Sequence, residues 1–303
     1  MKFISIHSHK GGAGKTSLAL MISKKHSLAG EKVCLVDLDF LGSGLDKLLK
    51  ISYSRFSLED YLVPPPNNTD LVTLDSIKSR FADSDLREDR KIIDVVLNYN
   101  SNFTNQDSKQ RTRILGLIGR EGRQSIVRRA VERLLSDIEA SGYETVIFDC
   151  HPGITFLSKS VLDICRERSS DCYNVFVTTL NRSHFYGTLE TMNSLSREEE
   201  EHGFSRTMSA LCVNKIDQNG ITWSTLKSMC DTDYQIISNL RSTISNFEEE
   251  QLNKNIIWIK SLTPDTMSDG IGMAAKIPQP SNDEIGRTNT SVCRGILLDM
   301  GRS

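Results

Sequence analysis

The chain of 303 residues is 38% hydrophobic and 25% charged, with a formal net charge of -2, the profile of an ordinary globular protein. No run approaches the roughly 18–20 apolar residues of a membrane-spanning helix, and so small a net charge gives no global attraction to nucleic acid or anionic lipid. Seven cysteines, an odd number without a C-x-x-C pair, argue against a disulfide framework or a structural zinc site.

Met1-Lys2-Phe3-Ile4-Ser5 leads straight into the first apolar run, Phe3 to Ile6, leaving no room for a signal peptide, so a cytoplasmic location is expected. That strand is followed by His9-Lys10-Gly11-Gly12-Ala13-Gly14-Lys15-Thr16-Ser17 and then by a helical pattern from Leu18 to Ile22. A glycine-rich turn between strand and helix aims backbone N–H groups and the positive helix end at one point, which suits the phosphates of a nucleotide. Lys15 is expected to reach the β/γ-phosphates and Thr16 to hold Mg²⁺. The usual loop, G-x-x-x-x-G-K-S/T, is broken in one place: His9 stands where the first glycine belongs, and a second lysine, Lys10, follows it.

Lys32 to Asp37 predicts the next strand, after a helix stop at Ala29-Gly30. Further strand-like runs are Thr145 to Asp149, Asn174 to Thr179, Ala210 to Asn214 and Ile256 to Ile259. Short β-branched runs alternating with helices imply a doubly wound, mostly parallel α/β sheet with helices on both faces. Ligands of such sheets sit beyond the carboxyl ends of the strands. Asp37 and Asp39 fall at one such end and Asp149 at another, so Asp149 is expected to serve Mg²⁺, while one of Asp37 and Asp39 joins the metal shell and the other orients the attacking water. Gly153 could bring a backbone N–H near a γ-phosphate. His151 reads either as a general base or as a polar turn residue.

These residues resemble the ParA/MinD group of deviant-Walker P-loop ATPases. The likeness rests on Lys10 to Ser17, Val36-Asp37-Leu38-Asp39 and Val146 to Gly153, with weaker matches at Val213-Asn214-Lys215 and around Thr263-Pro264-Asp265. The resemblance implies an ATP-dependent homodimer in which Lys10 crosses to the other subunit's phosphates, much as an arginine finger does. It further implies that Asp39 positions the hydrolytic water, that Thr16 and Asp149 serve Mg²⁺, that Gly11, Gly12, Ala13, Gly14 and Ser17 complete the phosphate cradle, and that Asn214 contacts adenine with Pro264 packed nearby. Turnover is expected to be slow and stimulated by an unknown protein partner. Asn214-Lys215-Ile216-Asp217 also fits the guanine motif of GTPases, leaving GTP as the alternative nucleotide. A nucleotide-dependent adaptor in a larger assembly is the alternative role.

The chain departs from the group after Asp39, where Phe40-Leu41-Gly42-Ser43-Gly44 replaces the Pro-Gln-Gly usual in partition proteins. The roughly 110 positions from Asp39 to Asp149 exceed what a plain βαβ step needs, so one domain, 1–303, with an insertion at about 52–124 is expected. Arg120, Arg123, Arg128 and Arg129 head a basic stretch beside the helical stripe Ile126, Val127, Ala130, Val131, Leu134. This reads as a non-specific DNA surface or as a solvated helix face. A membrane-binding C-terminus would need a basic amphipathic helix, and Thr290 to Ser303 is too short and weak a pattern for one.

Overall fold

In a computed structural model, the structure describes residues 1–40, 42, 45–49, 51, 54, 56–64, 71–81, 93–98, 124–169, 171–179, 181–202, 208–214 and 256–258. The strands are β1 (Lys2–His7), β2 (Val33–Leu38), β3 (Lys78–Phe81), β4 (Ile93–Val96), β5 (Thr145–Cys150), β6 (Cys172–Thr179), β7 (Met208–Asn214) and β8 (Ile256–Trp258). The helices are α1 (Lys15–Leu28), α2 (Leu45–Leu49), α3 (Leu58–Leu62), α4 (Leu74–Ile77), α5 (Gln124–Ala140), α6 (Phe156–Arg168) and α7 (Arg182–His202). Among the described residues, eight strands form one sheet in the order β3-β4-β2-β5-β1-β6-β7-β8. Every neighbouring pair is parallel except β3 and β4, which run antiparallel at the edge.

The continuous apolar runs follow from burial on both faces. Every residue of β1, β2 and β5 is buried, and alternation sends neighbours into separate cores. Phe3, Cys34, Val146 and Phe148 face one way and pack with Val131, Leu134 and Leu135 of α5 and Val161 and Ile164 of α6. Ile4, Ile6, Leu35 and Ile147 face the other and meet Leu18, Leu20 and Ile22 of α1. Truncating a ring such as Phe148 in so closed an interior costs about 3–5 kcal/mol.

The expected strands all form. The region expected as an insertion supplies α3, α4, β3 and β4, and its two strands extend the sheet beyond β2. The chain leaves β1 for β2 on one side and reaches β6, β7 and β8 on the other. This reversal of winding opens a crevice at the carboxyl ends beside β1, where doubly wound sheets hold ligands.

Candidate nucleotide site

The phosphate loop spans Ser8 to Gly14 between β1 and α1. Gly12 and Gly14 have φ of 79° and 99°, and Gly14 caps α1, so the loop turns back and presents the helix start to the crevice. Lys15, the first residue of α1, is buried, and Thr16 is half-buried. Buried Asn214, at the end of β7, donates from Nδ2 to the Ala13 carbonyl at 2.8 Å. Gly153 donates its N–H to Ser8 O at 2.7 Å, and the Ser8 hydroxyl donates to Lys10 O at 2.7 Å. The loop is therefore held by its own first turn, by β7 and by the segment after β5.

Burial, with Arg166 and Lys15 nearby, lowers the pKa of His7 to about 3, so the ring beneath the loop is neutral. Its Nε2 lies 2.8 Å from the Ser5 hydroxyl, which donates to Asn174 Oδ1 at 2.6 Å.

Lys10 faces outward. It is exposed, and its ammonium donates to the Ser183 hydroxyl at 3.0 Å. Asn181 Oδ1 accepts from both the backbone N–H and the hydroxyl of Ser183, at 3.1 and 3.0 Å. One turn on, Gly187 of α7 lies so close to the His9 ring that an added Cβ would fall 2.2 Å from it. The two residues that break the usual loop pattern thus rest on the start of α7.

The acidic residues converge as their strand positions require. Asp37 and Asp149 are register partners on β2 and β5, and both are buried. Burial pushes both carboxyls above their ordinary range; at Asp37 the neighbouring Asp149 charge adds to the rise, while at Asp149 Lys15 and a hydrogen bond with Thr16 oppose it. Asp149 Oδ1 has no protein partner. A buried carboxylate oxygen left open beside the Thr16 hydroxyl is what a hard cation such as Mg²⁺ takes up, completing its shell with water and phosphate oxygens. No cluster of three or more His, Cys, Asp or Glu suited to a metal occurs among the described residues. Neighbouring Cys150 is buried with its thiol pushed up by that burial, which leaves it inert.

Asp39 is half-buried just past β2. Its N–H donates to Asp37 Oδ1 at 2.9 Å, its Oδ1 accepts from the Gly42 N–H at 2.8 Å, and His151 Nε2 stands 3.8 Å from that oxygen. Sequence reasoning missed Asn98, whose side-chain amide donates to the Asp39 carbonyl. A signal existed: Ile92-Ile93-Asp94-Val95-Val96-Leu97 is a strand-like run, and Asn98 stands at its carboxyl end.

Pro264, Lys215, Asp217, Arg120 and Arg123 lie outside the described residues. Arg128 and Arg129 lie on α5, away from the loop. Arg128 donates twice to Glu167, at 2.8 and 2.6 Å, and pairs with Glu132 at 3.1 Å. Exposed Arg129 donates to Ser125 O at 3.2 Å, and Arg133 donates to Tyr61 O at 2.6 Å.

Strand order, loop and acidic edge define a ParA/MinD-like P-loop NTPase fold. Over residues 1–87 the chain matches the ParA family model described as NUBPL iron-transfer P-loop NTPase. The cell division ATPase MinD of Pyrococcus furiosus is similar in structure at a TM-score of 0.56 and 14% identity, covering 98% of each chain. A plasmid partition protein of Borrelia burgdorferi B31, bound to AMPPNP, gives 0.55 at 14% identity over 99% of this chain and 97% of its own. The septum site-determining protein MinD of Pyrococcus horikoshii, complexed with Mg-ADP, gives 0.51 at 16% identity over 75% and 76%. At such identities these likenesses establish the fold alone. No curated protein sequence matches the chain. No helix among the described residues is long and apolar enough to cross a membrane.

Proposed function

We propose that the protein is an ATP-binding and ATP-hydrolysing switch that works as a homodimer and positions or regulates a cargo. The observation that carries this reading is the different placement of the two lysines. Lys15 is buried at the head of α1, whereas Lys10 is exposed and bonded outside the phosphate cradle, on Ser183. Lys15 then holds the phosphates of its own subunit, and Lys10 is free to neutralise charge on those held by another.

Gly11, Gly12, Ala13, Gly14 and Ser17 complete the cradle, and Thr16, Asp37 and Asp149 hold Mg²⁺, which neutralises phosphate charge when bound. Asp39 accepts a hydrogen bond from the attacking water and fixes its approach. Gly153 gives up its bond to Ser8 O when it turns to the γ-phosphate. Asn214 supports the loop through Ala13 and, with Pro264, flanks the base. Because dimerisation completes the site, intrinsic turnover falls below the roughly 1–100 s⁻¹ of kinases. The experiment is molecular mass in solution with Mg²⁺ and ATP, ADP or GTP: ATP should give a dimer that ADP does not, and GTP should compete weakly.

A second reading concerns the cargo. Arg128 is paired with Glu132 and Glu167, and Arg133 is spent on Tyr61, which weakens a DNA surface built from Arg120, Arg123, Arg128 and Arg129. This favours an adaptor whose slow turnover is triggered by a protein partner. Neutralising those four arginines without changing ATP-dependent DNA retention would support it.

A further inference from the structure

We infer that Asn98 is a positioning residue for Asp39, and that the sheet extension of β3, β4 and α3 thereby sets the hydrolytic geometry. The inference rests on the proposed role of Asp39 in aligning the attacking water. That aspartate sits in a short turn leaving β2. The turn closes on itself through Gly42, whose N–H caps Asp39 Oδ1 at 2.8 Å. Gly42 lies so close that a Cβ there would fall 2.5 Å from Asp39 Oδ2.

Both ends of this turn are then gripped by one side chain. The buried Asn98 amide donates to the Asp39 carbonyl and approaches the Gly42 carbonyl at 3.5 Å. Asn98 is itself anchored from the far side. Leu58 N–H donates to Leu97 O at 2.9 Å and Glu59 N–H to Asn98 O at 3.0 Å, so the start of α3 is tied to the end of β4. Ser57 and Asp60 cap α3 reciprocally, and Tyr61 joins it to α5 by a 2.6 Å hydrogen bond to Asp137. The turn that carries this carboxylate is therefore referenced, through the Asp39 and Gly42 carbonyls, to the end of β4 and the start of α3. A misplacement of about 1 Å at such a group costs about 100-fold in rate.

The test is steady-state ATP hydrolysis by Asn98→Ala and by the near-isosteric Asn98→Asp, each with nucleotide affinity measured by titration of a fluorescent ATP analogue. We expect kcat to fall about 10- to 100-fold in both, with KM and nucleotide affinity within about twofold of wild type because Lys15 and the cradle are untouched. Unchanged affinity shows that both variants are folded. If both turn over ATP at the wild-type kcat while Asp39→Ala does not, the inference is overturned and the proposed function stands. A raised KM with unchanged kcat would assign Asn98 to binding and also overturn it. If the wild type itself shows no hydrolysis, the proposed function falls first and the inference with it.

Discussion

The two ends of the parallel sheet treat carboxylates in opposite ways. At the amino ends, Glu31 meets His26 Nδ1 at 2.8 Å, Lys2 Nζ at 3.0 Å and the Thr145 hydroxyl. Burial alone would raise its pKa, but hydrogen bonds from His26, Thr145 and Lys2 hold it at about 2. At the carboxyl ends, Asp37 and Asp149 face each other across β2 and β5, pushed upward by burial, with Asp149 Oδ1 left open. The Glu31 carboxylate is satisfied by the protein itself. The carboxyl end is built with less than it needs, as expected of a site that a cation and phosphates complete.

The largest effect that sharpens this contrast is Lys15→Ala, expected to weaken ATP binding roughly 100-fold or more, about 2.7 kcal/mol, as read by titration calorimetry. Lys10→Ala should leave that affinity within about threefold while removing hydrolysis and the ATP-dependent dimer, since a charge supplied across an interface is worth about 10³–10⁵ in rate. Asp39→Ala should instead accumulate an ATP-bound dimer, visible by sedimentation; free turnover in that variant would remove its role with the water.

Smaller effects divide the two ends of the sheet by sign. Glu31→Gln should destabilise the fold by about 1–3 kcal/mol at neutral pH. The folded pKa of Glu31 lies below its ordinary 4.5. Its stabilisation is therefore full above about 4.5 and drains away as pH falls toward 2, so wild type and Glu31→Gln should converge in chemical denaturation at acid pH. Asp149→Asn should do the reverse, stabilising the nucleotide-free protein by about 1 kcal/mol through relief of like-charge repulsion while weakening Mg²⁺-dependent nucleotide binding. Equal signs for the two substitutions would break the comparison.

The central strands were legible because burial on both faces writes continuous apolar runs, and the loop was legible because phosphate binding constrains consecutive residues. The edge strand β3, Lys78-Ser79-Arg80-Phe81, carried no such run, since a half-exposed edge needs none. Asn98 was hidden because its meaning depends on Asp39, 59 positions away. Asn214 stood out through its motif at a strand end, but its bond to Ala13 spans 201 positions, a partnership that only the closed sheet reveals. The same holds for Lys10, whose bond to Ser183 spans 173 positions.

The most direct measurement is the mass of the wild type and of Lys10→Ala by light scattering with Mg²⁺ and either ATP or ADP. The wild type should double its mass with ATP and not with ADP, and Lys10→Ala should remain monomeric with both. A wild type that stays monomeric with saturating ATP, or a Lys10→Ala variant that dimerises as well as wild type, would contradict the account.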